Sequence, residues 1–299
     1  MNIRQVAYFV ALAREQHFAR AAAACNVSQP TLSAGLLALE DQVGRRLIER
    51  DRRFIGLTAE GHAVLPWAQQ LVAALDGLTA AADAVRGPLS GTLRLGAIPA
   101  SMPATGAFAA TLRHVFPDVE LSVRSLTSRE IARRLSAFEL DAGLTYTEHE
   151  PPSRMIGIPL YIERAMFVTS QDYPQPPAGP IAWSAALEHP LCLLHQDMQN
   201  RRILDEHLAR QGLSARPWVT ADSYVTLLAM AQSGAFAAIA PDSYAPLLPG
   251  WARMLPFDEP ASLSRIGLIV ADQSPLSPMA VAALTIANQL AAQPPVAPA

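Results

Sequence analysis

Two predicted helices joined by a tight turn, within residues 18–53, constrain the fold more than any other stretch of the chain. An alanine-rich run predicts a helix up to Ala24, and Asn26 tolerates the left-handed conformation of a tight turn. Ser28 is a good N-cap for a second helix. That helix has one apolar face with spacings of four, three and four residues, formed by Leu32, Leu36, Leu39 and Val43. The stretch therefore predicts two helices packed at an angle.

The other face of the second helix, and the arginine-rich segment behind it, suit a DNA duplex. A side-chain amide in the first turn of a helix reads base edges, and guanidinium groups bind phosphates. The candidate DNA-binding residues are Ser28, Gln29, Pro30, Thr31 and Ser33 in the helix, and Arg50, Arg52 and Arg53 behind it. The alternative is that the helix pair is an ordinary packing unit and the arginines form a solvated face.

These residues resemble the LysR-type transcriptional regulators. The resemblance is carried by residues 9–11, 18–22, 27–33, 39–40, 44, 47, 50 and 57–61. It implies a winged helix-turn-helix domain over residues 1–58, a linker helix over residues 59–88 and an effector-binding domain over residues 89–299. One departure is Ala34-Gly35, where the family often has polar or basic residues, so fewer side chains reach the bases there.

Charge and composition fit a DNA-binding protein of the cytoplasm. The net charge is −3, yet residues 1–58 hold eight arginines against five acidic residues, so positive charge is concentrated at this end. No apolar run is long enough to predict a membrane span, and the first residues do not resemble a signal peptide. Cys25 and Cys192 fall in different predicted domains, which argues against a disulfide framework.

Two further elements complete the predicted N-terminal domain. Asn2 and Gln5 are spaced as a capping pair for a first helix. Residues 47–50 and 54–57 flank Asp51-Arg52-Arg53 and predict a short two-stranded wing, with its tip at the DNA backbone or the minor groove.

A long helix is predicted over residues 59–85, with Thr58 as its cap. Its apolar positions have the spacing of a coiled-coil seam: Ala68, Leu71, Leu75, Leu78, Ala82 and Val85. A seam needs a second strand, so Leu71, Leu75 and Leu78 are expected to mediate homodimerisation, and packing on its own domain is the alternative. The resemblance implies pairing of subunits here, in a homodimer or a homotetramer.

Beyond the break at residues 86–91, strands alternate with helices, which predicts an α/β domain with a parallel sheet. The predicted strands are residues 92–97, 119–126, 142–146, 165–169, 191–194, 218–221, 236–240 and 265–271. A change of partner around Pro159 predicts two lobes, lobe I over residues 91–160 and 265–299 and lobe II over residues 161–264. This arrangement resembles the two-lobed effector domain of LysR-type regulators, itself similar to periplasmic solute-binding proteins.

Ligands of open parallel sheets lie outside the carboxyl ends of the strands, near helix N-termini. Three loops meet this condition, at residues 98–103, 127–130 and 195–201. Their hydroxyls, amide and guanidinium predict a small anion, most simply a carboxylate. The candidate effector-binding residues are Ser101, Met102, Thr127, Ser128, Asn200, Arg201 and Ser223. For Ser101 and Ser128 the resemblance implies contact with an inducer, and it places Ser223 at the cleft edge.

Each of these residues has an alternative role. Ser101 and Thr127 also suit helix caps, and Arg201 also suits a surface pair with Asp205. The histidines lack metal-ligand spacing, and no phosphate-binding loop or hydrolase motif is present, so neither a cofactor, a metal nor catalysis is expected. A peroxide-sensing disulfide would need two cysteines in the effector domain, so apolar packing is expected for Cys192.

The sequence therefore predicts a DNA-binding transcriptional regulator whose action is modulated by a small, anionic effector. The expected partners are double-stranded operator DNA, the effector, further copies of the chain and RNA polymerase, with no membrane. The competing hypothesis is a cytoplasmic solute-binding or enzymatic α/β protein without a DNA function.

Overall fold

A computed structural model of the chain describes residues 1–50, 54–84, 87–148, 153–174, 179–248, 250–259 and 262–292. The chain divides into two compact units, one of Met1–Gly87 with Ser136–Glu139 and one of Pro88–Leu135 with Leu140–Ala299. Within the described ranges, no helix is both long enough and apolar enough to cross a membrane.

The first unit contains three short helices, a two-stranded antiparallel wing and one long helix. They are α1 (Ile3–Glu15), α2 (Phe18–Ala24), α3 (Gln29–Val43), β1 (Ile48–Arg50), β2 (Phe54–Leu57) and α4 (Ala59–Ala84). The predicted turn and caps are confirmed: Asn26 has a φ of 54°, the Ser28 hydroxyl accepts from the Thr31 amide, and Gly44 has a φ of 71°. Burial of the predicted apolar face of α3 holds the unit together, since Leu32, Leu36 and Leu39 are buried.

The wing is fixed to the helices around Leu47. The buried carboxylate of Glu40, on α3, accepts hydrogen bonds from the backbone amides of Leu47 at 2.9 Å and Ile48 at 3.1 Å. On the side of α4, a Cβ added to Gly61 would overlap the Leu47 carbonyl oxygen, so only glycine fits there. A further close approach explains the unexpected Gly35 of α3, where a Cβ would lie 2.6 Å from the Tyr8 ring of α1.

The second unit alternates strands and helices. In order these are β3 (Gly91–Ala97), α5 (Ala104–Val115), β4 (Val119–Ser125), α6 (Ser128–Ser136), β5 (Ala142–Tyr146), β6 (Met155–Ser170), α7 (Trp183–Ala186), β7 (Leu191–Leu194), α8 (Gln199–Arg210), β8 (Val219–Ala221), α9 (Tyr224–Gln232), β9 (Ala237–Pro241), β10 (Ala252–Pro256), β11 (Ser262–Ala271) and α10 (Pro278–Ala291). Short 3-10 helices lie at Pro99–Ser101 and Asp242–Leu247.

Among the described residues, the strands form one sheet in the order β4-β3-β5-β11-β6-β9-β7-β8, with β10 also paired to β6. The predicted parallel pairing is confirmed for β3 with β4 and β5, and for β7 with β8 and β9. It is wrong for β6 and β11, whose pairs with each other and with β9 and β5 are antiparallel. β10 and the first half of β6 are not predicted from the sequence.

Strand β6 runs through both halves of the sheet. It pairs with β11 up to Arg164 and with β9 from Ala165 onward, so the change of partner comes later than Pro159, where the sequence placed it. Pro159 stays inside the strand because it pairs with Gly267 at a register shift, where a missing amide is tolerated. Two hydrophobic cores flank the sheet, a smaller one around Phe108 and a larger one around Phe167. The two lobe boundaries stay a prediction.

Candidate functional site

The first turn of α3 presents a polar surface above the core of the first unit. Ser28, Gln29, Pro30 and Thr31 are exposed and Ser33 is partly buried. The Ser28 oxygen lies 2.8 Å from the Thr31 hydroxyl and caps the helix, so the Ser28 side chain first serves the helix itself. The exposed amide of Gln29 is therefore the side chain best suited to read a base edge.

The arginines behind α3 are placed only in part. Arg45 and Arg46 are exposed beside the wing. Arg50 lies in β1, although its side chain lies outside the description, and Arg52 and Arg53 lie outside the described residues. Their contact with phosphates stays a prediction.

Helix α4 changes character along its length. Ala68 is buried within the first unit, whereas Leu71, Leu75 and Leu78 are 44%, 43% and 68% exposed. Three leucines at this spacing form an apolar stripe that a single copy of the chain leaves in contact with water. Val85, the last predicted seam position, lies outside the described residues.

A small cavity in the second unit lies where the sequence predicts the ligand. Its wall is formed by the loop after β3, the start of α6, the start of α8 and the ends of β5 and β7. The lining residues are Ile98, Pro99, Ala100, Thr127, Ser128, Tyr146, Leu194, Met198, Gln199 and Asn200. The centre of a water-sized sphere can occupy about 10 Å³ of it, which is room for about one water molecule. No arginine or histidine is among these lining residues.

The N-terminus of α6 contributes one hydroxyl with a structural partner and one without. Thr127 and Glu130 form the predicted capping box, because the Thr127 amide donates to Glu130 at 2.9 Å and the Glu130 amide donates to the Thr127 hydroxyl at 3.2 Å. The hydrogen bond from the Thr127 backbone lowers the pKa of Glu130. The Ser128 hydroxyl is buried in the cavity wall and has no hydrogen-bond partner among the described residues. It is the donor most clearly left for a ligand.

Asn200, at the start of α8, links the cavity to a buried polar cluster. Its Nδ2 donates to the Tyr146 hydroxyl oxygen at 2.7 Å and to Glu163 Oε1 at 2.6 Å, and its Oδ1 accepts from the Tyr224 hydroxyl at 2.7 Å. The Tyr146 hydroxyl in turn donates to Glu163 Oε2 at 3.0 Å. The cluster therefore joins β5, β6, α8 and α9 through side chains alone.

Glu163 is the residue that sequence reasoning missed. It is fully buried in β6, and this burial raises the pKa of its carboxyl from 4.5 to about 8. Burial also raises the pKa of Tyr146 and Tyr224, and the neighbouring Glu163 carboxyl raises both further. At neutral pH the cluster is consequently a set of neutral hydrogen-bonding groups around a protonated acid.

The other predicted effector-binding residues lie apart from the cavity. The Ser101 hydroxyl is buried and donates to the carbonyl oxygens of Ile98 at 3.0 Å and Leu144 at 3.1 Å, which is a structural role. Met102 packs against the smaller core, and Ser223 precedes α9 without a side-chain cap bond. Their contact with a ligand stays a prediction.

Arg201 forms the pair with Asp205 that the sequence offers as its alternative role, but Arg201 is buried rather than at the surface. Its guanidinium is 2% exposed, with Nε 2.8 Å from Asp205 Oδ1 and Nη1 3.0 Å from the Leu194 carbonyl oxygen. Adjacent residues of a helix point about 100° apart. With Asn200 at the cavity, Arg201 therefore lines a separate groove beside His195 and Asp197. Of the three groups predicted to meet at the ligand, the Ser128 hydroxyl and the Asn200 amide lie at the cavity and the Arg201 guanidinium does not.

Burial changes the pKa of one cysteine and one histidine in the second unit. Cys192 is fully buried in β7, and burial raises the pKa of its thiol to about 11. His207 packs on the Trp183 ring, and burial lowers the pKa of His207. Across the described ranges, no group of three or more His, Cys, Asp or Glu side chains is placed to hold a metal ion.

A winged helix-turn-helix unit, followed by an α/β unit with a polar cavity at helix N-termini, defines the class of ligand-responsive DNA-binding regulators. The family description "Bacterial regulatory helix-turn-helix protein, lysR family" matches residues 3–62, and "LysR substrate binding domain" matches residues 86–292. The chain belongs to the LysR family of bacterial transcriptional regulators, and its relatives are regulators rather than enzymes.

Individual relatives agree with this assignment. YnfL, an HTH-type transcriptional regulator of Escherichia coli K12, is 37% identical over 58% of this chain and 59% of its own length, so the match spans about three fifths of each. The hydrogen peroxide-inducible genes activator of Pectobacterium carotovorum is 32% identical over 76% of this chain and 80% of its own. A full-length OxyR variant from Pseudomonas aeruginosa superposes with a TM-score of 0.78 at 26% identity, covering 97% of this chain and 94% of that one.

Proposed function

We propose that the protein binds operator DNA as an oligomer and that a small molecule, bound in the cavity of the second unit, changes this binding. The observation that carries the DNA part is the exposed first turn of α3, where the Gln29 side chain is open to solvent although Leu32 and Leu36 further along the helix are buried. In this proposal α3 enters the major groove, and the wing arginines Arg50, Arg52 and Arg53 contact phosphates.

A second copy of the chain is the proposed partner of α4. The exposed stripe of Leu71, Leu75 and Leu78 supports this, because burying it against an identical stripe removes apolar surface from water. Two copies place two α3 helices on successive half-sites, and two dimers form the proposed tetramer. RNA polymerase at the promoter is the proposed further partner, and the cytoplasm, where that DNA lies, is the proposed location.

The cavity is the proposed effector site. The unpartnered Ser128 hydroxyl and the Asn200 amide support it, since both lie in its wall at the start of a helix. A ligand that binds one arrangement of the effector domain more tightly shifts the protein toward that arrangement and toward the DNA affinity that goes with it.

The DNA proposal is tested by measuring affinity for a fragment from upstream of the protein's own gene, and for a random fragment, over a series of salt concentrations. Gln29→Ala should reduce the preference for the upstream fragment by about 1–3 kcal/mol. Arg52→Ala should flatten the slope of log affinity against log salt by about one unit without changing the preference. Arg216→Ala removes an exposed arginine of the second unit and is the matched control. Weak and equal binding to both fragments by the unmodified protein would refute the proposal.

The α4 proposal is tested separately by sedimentation. Leu75→Glu places a charge in the middle of the stripe and should shift the protein toward monomer. Leu247→Glu changes a leucine that is 62% exposed in the second unit and should leave the mass unchanged. An unchanged mass in Leu75→Glu would mean that α4 is not the interface.

A further inference from the structure

We propose that the effector carries a protonated primary amine, that Glu163 is its counter-ion, and that the side-chain amide of Asn200 occupies the position of that amine in the structure described above. This inference depends on the proposed role of the cavity as the effector site. It replaces the carboxylate expected from the sequence with a cation.

The first support is the hydrogen-bond pattern of the Asn200 nitrogen. Nδ2 lies 2.6 Å from Glu163 Oε1 and 2.7 Å from the Tyr146 oxygen, so both of its hydrogens have an acceptor. An ammonium nitrogen at this point would donate to the same two oxygens, and its bond to an ionised carboxylate would be stronger than that of a neutral amide. In the complex, the ammonium nitrogen of the ligand therefore takes the place of Asn200 Nδ2 as the donor to Glu163 and Tyr146.

The second support is access. Tyr146 and Asn200 both line the cavity, and Glu163 accepts a hydrogen bond from each of them. Rotation of the Asn200 side chain would expose the carboxyl to the cavity. The unpartnered Ser128 hydroxyl in the same wall remains to bind a second polar atom of the ligand.

The third support is the charge of the side chains around Glu163. Within the described ranges, Glu163 has no ion pair with an arginine or a histidine, and the basic residue expected near the site, Arg201, is paired with Asp205 instead. The titratable groups around Glu163 are the tyrosines Tyr146, Tyr161, Tyr224 and Tyr244, which are neutral at pH 7, and Asp242. An anion would meet only acids here, whereas a cation would stabilise the ionised form of Glu163, which has no other counter-ion among the described residues.

Amine binding is then coupled to a proton. Burial holds the pKa of Glu163 at about 8, so below that pH the acid must ionise when the ammonium arrives. The O–H bond of the carboxyl breaks, the proton passes to solvent, and the ammonium keeps its three hydrogens. Affinity should therefore rise by close to tenfold per pH unit well below pH 8, where about one proton should be released per amine bound, and this number should fall to about half a proton at pH 8.

Titration calorimetry of the full chain tests this with methylamine and ethylamine against formate and acetate, at pH 6, 7 and 8, because the cavity and the space that the Asn200 amide leaves on rotation hold only a small ligand. We expect the amines to bind at least tenfold more tightly than the carboxylates at pH 8, and to bind more weakly at lower pH. Glu163→Gln should lose at least tenfold in amine affinity together with the pH dependence. Glu120→Gln, an exposed carboxyl on β4, is the matched control and should keep both.

Three results would overturn the inference: carboxylates that bind as tightly as amines, amine affinity that does not depend on pH in the unmodified protein, or no binding by any of the amines. Operator binding without ligand is measured on the same preparation. If operator binding is intact and amines fail, only this inference falls, whereas loss of operator binding in the unmodified protein refutes the proposed function itself. The pH dependence of the unmodified protein keeps the test decisive even if Glu163→Gln fails to fold.

Discussion

The buried carboxyl of Glu163 makes the stability of the second unit fall as the pH rises from about 4.5 to about 8. In the unfolded chain this carboxyl ionises near its ordinary pKa of 4.5, whereas in the folded protein burial raises the pKa to about 8. Between these values the folded state holds the proton more tightly, so raising the pH favours unfolding. Above pH 8 both states are ionised and the loss levels off.

The magnitude follows from the two pKa values. Each pKa unit corresponds to about 1.4 kcal/mol, so the change between pH 5 and pH 8 is about 3 to 4 kcal/mol. Glu163→Gln removes this contribution, because an amide does not titrate. At pH 5 the variant should be less stable by about 1–2 kcal/mol, since the amide nitrogen that replaces a carboxyl oxygen cannot accept the hydrogen bond from Tyr146. At pH 8 the order should reverse.

Urea unfolding of the full chain at both pH values measures the effect, with the fluorescence of Trp183, Trp218 and Trp251 reporting on the second unit. The informative quantity is the difference in pH dependence between the unmodified protein and Glu163→Gln, because all other titrating groups cancel in it. Glu120→Gln should follow the unmodified protein. Parallel pH dependences for Glu163→Gln and the unmodified protein would show that the acid is not held protonated.

Three further predictions concern other parts of the chain. Glu40→Ala leaves two buried backbone amides without an acceptor and should cost about 2–4 kcal/mol, seen as faster hydrogen exchange in β1, while Asp41→Ala on the exposed side of the same helix should leave exchange unchanged. Gly61→Ala should destabilise the first unit by about 1–3 kcal/mol in thermal unfolding, because its Cβ meets backbone. Gly77→Ala, in the same helix and with nothing within 4 Å, should stabilise α4 by about 0.5–1 kcal/mol, and the opposite order would refute the packing described at the wing. Cys192→Ala should leave operator binding unaffected by peroxide, as in the unmodified protein, because a buried thiol of raised pKa forms little thiolate; a peroxide response lost in the variant would contradict this.

Much of the first unit is predictable because its signals are local. Asn26, Ser28 and Gly44 mark the turn and the ends of α3 through backbone conformations that few residues adopt, and the apolar spacing fixes the buried face. The presence of Gly35 is not predictable in the same way. Its cause is the Tyr8 ring, which approaches from another helix.

The candidate site of the second unit is predictable only as a place. The rule for strand ends locates the loops, and Ser128 and Asn200 lie in the cavity wall. The alternation of side chains along a strand could have predicted that Glu163 is buried. Glu163 lies two residues before the buried Ala165 and four before the buried Phe167, so all three share one face of β6. Pro159 obscured that signal by making the first half of β6 look like a loop. The direction in which Arg201 points depends on the residue at which α8 begins, because this fixes which side of the helix faces the cavity. The loop sequence alone does not predict that residue.

Footprinting of the full chain on DNA from upstream of its own gene tests the proposed function most directly. We predict protection of two half-sites whose centres are about 10 base pairs, or a multiple of that, apart, because two α3 helices of a symmetric dimer meet the same face of the duplex. Gln29→Ala should lose this pattern at concentrations where the unmodified protein shows it, and an effector should alter it. Uniform protection of upstream and random DNA, or none at all, would contradict the assignment of a sequence-specific regulator.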